Sequence, residues 1–238
     1  MTFLIVTGMT PLQERLYEFQ VKAAAQSDGQ PDSFLRQYSA LSKITSHPSL
    51  YVSSLPDGII MPSSGGPGNG VGALLPTDYQ ENDPRLSAKT EIVLQIAKRA
   101  KERGDRVILA SSSTSVLDLV GGNLKKEGFR CLRFTGKTPM SDRGSIVSQL
   151  NDPSSEVDVL LLSIRAGGTG LNLTGANIFI IFEPSFNPSV DDQAIARIYR
   201  PGQRRDVFVY RLVSGDTRAI EIQVMMLQVS HSLSTARF

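Results

Sequence analysis

VDVLLLSIRAGGTGLNL, residues Val157 to Leu173, decides how this chain folds. From Val157 to Ser163 the run is almost continuously apolar and lacks the polar alternation of a half-exposed strand. A strand that is apolar on both faces must be covered on both, as a central strand of a parallel sheet is. Three glycines, Gly167, Gly168 and Gly170, follow directly. They permit backbone conformations closed to other residues and let a ligand come close. Ligands of open α/β sheets bind at the carboxyl ends of the strands, so this turn is a candidate site.

Working outward, strand and helix patterns alternate. Helices are expected over 87–103, 115–127 and 141–150, and strands over 106–110, 129–134, 157–163, 177–182 and 207–213, with a last helix over 217–229. This alternation predicts an α/β fold, a parallel sheet wrapped by helices. Upstream, residues 3–7 (FLIVT) read as a short buried strand. Two amphipathic helices follow, one with Leu12, Leu16 and Phe19 inward, the other with Tyr38, Leu41 and Ile44, ending at Ser46-His47-Pro48. Between Leu55 and Arg85 the run Ser63-Ser64-Gly65-Gly66-Pro67-Gly68-Asn69-Gly70 buries too little apolar surface to offset its ordering entropy, and a mobile linker is expected.

After the strand at 177–182 comes EPSFNPSVDDQAIARIYRPGQ, Glu183 to Gln203. Asn187 is a good N-cap, Pro188 suits the first helical position, and Asp191 and Asp192 complement the helix dipole. Pro201-Gly202 is expected to stop the helix. At about 100° per residue, Gln193, Arg197 and Arg200 fall on one stripe, beside an apolar stripe of Val190, Ala194 and Ile198. Two aligned guanidiniums suit a polyphosphate or a carboxylate. Solvated arginines near a helix end are the plainer alternative.

Two other strand ends carry polar turns. Ser111-Ser112-Ser113-Thr114 offers hydroxyls and helix N-terminal amides to a phosphate, or simply caps the helix. Thr135-Gly136-Lys137-Thr138 resembles the tail of a P-loop, but Cys131 stands where the first glycine of G-x-x-x-x-G-K-[ST] would be. There is also no Asp-Glu dipeptide anywhere in the 238 residues. Phosphoryl transfer needs phosphate cradle, metal and arginine together, and only the arginines are legible here.

Charge is uneven: residues 1–85 hold 5 Lys+Arg against 8 Asp+Glu, and residues 86–238 hold 20 against 15. A polyanion partner should therefore meet the second part. Cys131 is the one cysteine, which excludes an internal disulfide and suits an intracellular protein. With two histidines, His47 and His231, no metal cluster is recognisable. No apolar run is long enough to span a membrane.

The pattern Asp191-x-Gln193-Ala194-x-x-Arg197-x-x-Arg200-x-Gly202-Gln203 resembles the last motif of the SWI/SNF-type, helicase-like DNA translocases. The glycine-rich run Arg165–Leu173 and Val209-Tyr210-Arg211-Leu212 resemble the same family, as do Met9–Gln13 with Tyr17 and the His47-Pro48 segment. The likeness is to its recombination-repair branch, with Phe186 in place of the family's Trp. The resemblance implies a second RecA-like lobe at 86–238, preceded by the end of a first lobe and inter-lobe helices at 1–50 and the linker at 51–85.

It further implies that Arg197, Arg200 and Gln193 act on ATP held by the first lobe. Gly167, Gly168, Gly170, Asn172 and Gln203 would line or couple the ATP cleft. Ser112, Ser113, Gly136, Lys137, Thr138, Arg143, Ser163 and Arg165 would touch the DNA backbone. ATP and Mg are the implied cofactors, the Mg held by a first lobe of which this chain has only the last strand. Implied partners are double-stranded DNA, the first lobe, and a recombinase or nucleosome, in the nucleus. Such a lobe is not expected to hydrolyse ATP alone. A non-catalytic DNA- or protein-binding remnant is the alternative, and an RNA-helicase lobe is disfavoured by the Arg200-Pro201-Gly202-Gln203 ending.

Overall fold

The apolar strands carry two sets of side chains, one for each face of a sheet. Val107 and Leu109 point one way with Val159, Leu161, Ile178 and Ile180. Ile108 and Ala110 point the other way with Leu160, Leu162, Phe179 and Ile181. The computed structural model describes residues 1–26, 33–56, 70–167, 170–215 and 219–235. Among these, β1 (Thr2–Thr7), β2 (Val107–Ser111), β3 (Cys131–Phe134), β4 (Val159–Ser163), β5 (Ile178–Ile181) and β6 (Phe208–Ser214) form one sheet in the order β1-β6-β5-β2-β4-β3. All pairings are parallel, so the carboxyl ends share one edge.

Eight helices accompany the sheet among the described residues: α1 (Pro11–Gln26), α2 (Ser33–Ser46), α3 (Pro48–Val52), α4 (Ala88–Glu102), α5 (Thr114–Lys126), α6 (Met140–Asn151), α7 (Pro188–Ile195) and α8 (Ile220–Thr235). Helices α4 and α5 cover the first face through Val93, Ala97, Ala100, Leu117, Val120 and Leu124. Helices α6 and α7 cover the second through Leu150 and Ala194. Each Leu or Ile buried this way contributes about 1.5–3 kcal/mol. Gly121 lets α5 lie close on β4: a Cβ there would meet Leu161 Cδ1 at 2.4 Å.

The first segment is a helical layer of its own, with Leu12, Leu16, Leu41, Ile44, Tyr51 and Val71 at its centre. Helix α1 starts at a reciprocal cap, in which the Gln13 amide donates to Thr10 Oγ1 at 3.3 Å and the Thr10 amide to Gln13 Oε1 at 3.0 Å. The Gln13 Nε2 then donates to the last carbonyls of α2, Ile44 at 2.8 Å and Thr45 at 3.0 Å. His47 caps α3, its Nδ1 accepting from the Ser49 amide at 3.2 Å. Burial pushes its pKa down to about 4.

Three expectations change. The strand at 3–7 is not buried: it is β1, paired from Thr2↔Val209 to Thr7↔Ser214 as the edge strand of this same sheet, with Phe3, Leu4 and Val6 exposed. An isolated apolar run says "strand" without saying which sheet takes it. The linker expected over 51–85 is partly ordered, since Val71 is fully buried and Leu74, Leu75 and Tyr79 pack on the helical layer. Residues 57–69, most of the Gly/Pro/Ser-rich run, lie outside the described residues. Finally, regular helix α7 ends at Ile195, well short of Pro201.

Candidate nucleotide and nucleic-acid interface

Register places the candidate turns side by side. Ser111 is level with Ser163, Phe134 with Leu162, and Ala110 with Ile181. The turns after β2, β4 and β3 therefore succeed one another along the carboxyl edge, with the segment after β5 on the other side of β2.

The turn after β3 is held by its own threonines. The Thr135 amide donates to Thr138 Oγ1 at 2.9 Å, and the Thr138 amide to the Thr135 carbonyl at 3.0 Å. This leaves Gly136 and Lys137 exposed. Arg143 Nε donates to the Thr138 carbonyl at 3.2 Å, and its guanidinium lies 5.3 Å from the Phe134 ring centroid. Arg165, in the short 3₁₀ turn Ile164–Gly167, is exposed, whereas Ser163 is buried. Neither Lys137 nor Arg165 has a side-chain partner among the described residues.

The serine turn after β2 is engaged internally. Glu183 Oε1 accepts from the Ser112 amide and hydroxyl, both at 2.8 Å, and from the Ser111 hydroxyl at 2.7 Å. The Ser113 amide lies 3.4 Å from the same oxygen, and Ser113 Oγ caps α5. Burial raises the Glu183 pKa against these hydrogen bonds, and its Oε2 is buried without a partner. Sequence reading missed Glu183, although an acid directly after a buried strand is the signal that finds it. The donors of Ser112 are thus already filled by a carboxylate and the Ser113 amide by Ser111 Oγ at 2.9 Å, while Lys137 and Arg165 face solvent.

Sequence also placed Gln193, Arg197 and Arg200 on one helical stripe; that arrangement does not form. Beyond Ile195 the chain tightens, with Ile198 N bonded to Ile195 O at 3.0 Å and Arg197 N to Ala194 O at 3.4 Å. These are i to i−3 bonds, so the 100° spacing no longer holds. Gln193 and Arg200 are exposed, but Arg197 turns inward and is only 7% exposed. Its Nη1 is buried with no hydrogen-bond partner. Burial, and then the charge of nearby Arg200, lower its pKa from the ordinary value.

Arg200 packs on the glycine-rich turn: a Cβ on Gly170 would lie 3.5 Å from both its Nη1 and Nη2. The Leu173 amide donates to the Arg197 carbonyl at 3.1 Å and ties the two segments together. Gly167 closes the 3₁₀ turn, and Gly168 lies outside the described residues. Asn172 is exposed, its carbonyl accepting from Asn151 Nδ2 at 2.9 Å. Gln203 braces backbone, with Nε2 donating to Ala176 O at 2.8 Å and to Ile198 O at 3.3 Å. Neither Arg197 nor Arg200 meets a carboxylate among the described residues.

A six-stranded parallel sheet with polar, glycine-rich turns along its carboxyl edge and two unpaired arginines beside them defines a RecA-like lobe. Residues 88–202 match the helicase conserved C-terminal domain. The chain is 34% identical over 235 residues to the DNA repair and recombination protein RAD54-like of Danio rerio, covering 94% of this chain and 30% of that protein. The C-terminal part of the Fun30 ATPase domain superposes with a TM-score of 0.73 at 21% identity, covering 95% of this chain and 88% of that one. The Sulfolobus solfataricus SWI2/SNF2 ATPase C-terminal domain gives 0.68 at 22% identity, covering 100% and 89%.

The chain belongs to the SWI/SNF-type helicase-like family, as its second RecA-like lobe, with relatives in the recombination-repair branch. It spans about 30% of the length of that relative. No helix among the described residues is long and apolar enough to cross a membrane.

Proposed function

We propose that this lobe is half of an ATP-driven double-stranded-DNA translocase, contributing arginines to hydrolysis and backbone contacts to DNA. One observation carries the reading. Arg197 and Arg200 converge at the glycine-rich turn with no carboxylate between them, and a buried Arg197 nitrogen has no partner. Like charges brought together without a counter-ion are costly, and an anion relieves the cost. A triphosphate presented by a first lobe is an anion of the right chemistry. Arg200, exposed beside Gly170, would reach it, and the buried Arg197 would add its charge.

ATP supplies the scissile phosphate, and carboxylates of the first lobe would hold its Mg. Lys137, Arg165 and Arg143, along the neighbouring turns, would track a duplex backbone without reading sequence, since contacts to phosphate position rather than specify. Ser112 and Ser113 are open to phosphate only where Glu183 gives way. A relative is named a DNA repair and recombination protein; on that ground the chain is assigned to the nucleus, with a recombinase or nucleosome as further partner.

The test is reconstitution. The purified chain alone should not hydrolyse ATP, and adding a first lobe, in the same polypeptide or as a separate protein, should restore DNA-stimulated turnover. Equal turnover by the chain alone, in a preparation shown to be free of contaminants, would overturn the reading.

A further inference from the structure

At the amino edge of the sheet, opposite the turns described above, a cavity of about 460 Å³ opens among the residues just before β2, β5 and β6. Three arginines line it, Arg106, Arg204 and Arg205, and no carboxylate does. Arg106 is held only by carbonyls: Nη1 donates to Leu150 O, and Nη2 to Ser155 O and Pro153 O. Arg205 Nη1 bonds Gly104 O at 2.7 Å and Asp105 Oδ1 at 3.0 Å. Asp105 lies outside the lining and also accepts from Asn177 Nδ2 at 3.0 Å.

Arg204 is exposed and has no partner among the described residues, and the Thr174 hydroxyl has none either. Arg205 stands close enough for its charge to act on Arg106, whose pKa is lowered by burial first and by Arg205 second. Of the two acids whose charge acts on Arg106, Asp152 is engaged by the Ser154 amide at 2.9 Å and hydroxyl at 2.7 Å, and Asp158 by Lys101 Nζ at 2.9 Å and the Arg130 amide at 2.8 Å. Much of the remaining wall is backbone at Gly104, Gly175 and Gly202, which lets a ligand reach main-chain groups.

We propose that this cavity is a phosphate-binding site, separate from the nucleotide and DNA edge, in which Arg204 closes on a phosphate already faced by Arg106 and Arg205. Three guanidiniums line the cavity and only that of Arg205 meets an acid, Asp105, so the charge and planar donors left over match the several acceptors of a phosphate group. The same chemistry is offered by a free di- or polyphosphate and by the backbone of a nucleic acid. Occupancy would also brace the arginine segment, because Gln203, in the cavity wall, holds Ile198 O and Ala176 O.

The test is a pyrophosphate titration of the full chain, followed by amide NMR. The Gly202, Arg204 and Arg205 signals should move and saturate, and should still do so in Arg200→Ala, which removes the cation packed on Gly170 and leaves the cavity's own arginines. In Arg204→Glu, whose side chain has no partner to lose, affinity should fall at least about tenfold with the melting temperature without anion unchanged. Signals that stay in place in the wild-type chain, or move equally in Arg204→Glu, would overturn the site. Adding duplex DNA then separates the sources. Displacement of pyrophosphate assigns the site to a nucleic-acid backbone, and persistence assigns it to free phosphate compounds. Neither result depends on ATP hydrolysis, so the translocase reading can fail while the site stands.

Discussion

Two buried cations, Lys89 and Arg197, receive opposite treatment from this fold. Lys89 is wholly buried, yet it bonds Glu221 and donates to Phe182 O at 2.9 Å. Glu221 in turn accepts from Thr45 Oγ1 and the Ser214 amide, both at 2.8 Å. That network joins the helical layer, α4, β6 and α8, and the pair leaves no charge unmatched. Arg197 is nearly as buried and keeps an unpartnered nitrogen and a like-charged neighbour. A satisfied buried charge fixes architecture; an unsatisfied one is where the proposed function expects an outside anion.

The largest expected effect breaks the comparison on the Arg197 side. In a polypeptide with both lobes, Arg200→Ala should cost about 10³–10⁵ in ATP turnover, roughly 4–7 kcal/mol, with ATP affinity changed far less. Arg197→Ala should also lose turnover, and the isolated lobe should melt no lower than wild type, because an unpaired buried cation has been removed. Arg→Lys should rescue poorly, since an ammonium lacks the planar fork. Wild-type turnover in both alanine variants would remove the basis for calling this lobe half of a motor.

The Lys89 side should behave in the reverse way. Lys89→Met leaves Glu221 buried without its cation and should destabilise by about 3–5 kcal/mol in urea unfolding. Lys89→Met combined with Glu221→Leu should recover much of that loss, as removing both members of a buried pair often does. If Lys89→Met alone were neutral, the contrast between the two cations would lose its meaning.

How much of this was legible in the sequence follows from the range of each interaction. The strands and helices of residues 86–238 were readable because two-residue and 3.6-residue periodicities are local. The residues of the candidate edge were readable for the same reason: glycines and hydroxyls cluster directly after apolar runs. Lys89 and Glu221 stand 132 positions apart, and nothing near either announces the other. Glu183 meets its serines 71 positions away, through a register that only the folded sheet sets. The inward turn of Arg197 was hidden because the helical wheel assumes that the helix continues, and this one tightens after Ile195. β1 was legible as a strand and read as buried, whereas it is an exposed edge strand, since edge pairing is also long-range.

His47 gives a third buried group, one satisfied only while neutral. Its Nε2 lies 3.0 Å from Asp83 O and its Nδ1 accepts from Ser49 N. With its pKa lowered from 6.5 to about 4, the folded chain resists a proton that the unfolded chain takes up. The stability it supports is therefore complete above about pH 6.5 and is lost as pH falls towards 4, about 3 kcal/mol in all. Glu183, raised by burial, works in the opposite direction. The informative quantity is thus the difference between the urea-unfolding pH profiles of wild type and His47→Gln. Parallel profiles would show that His47 is not held neutral.

The smallest expected effect sharpens the comparison along the proposed DNA edge, where the serine turn is satisfied and the Lys137 turn is not. Lys137→Ala removes an exposed cation with no internal partner. It should weaken duplex binding and reduce the magnitude of the log–log salt slope by about 0.9, one phosphate contact, with the melting temperature unmoved. Ser112→Ala removes a hydroxyl that Glu183 already uses. It should cost about 1 kcal/mol of stability or less, through the lost hydrogen bond, and leave the salt slope alone. Titrations at several salt concentrations, run on the same preparations as the melting curves, separate the two turns. A slope that fell with Ser112→Ala and held with Lys137→Ala would mean that phosphate displaces Glu183 in the bound state, and that the satisfied turn is the one DNA uses.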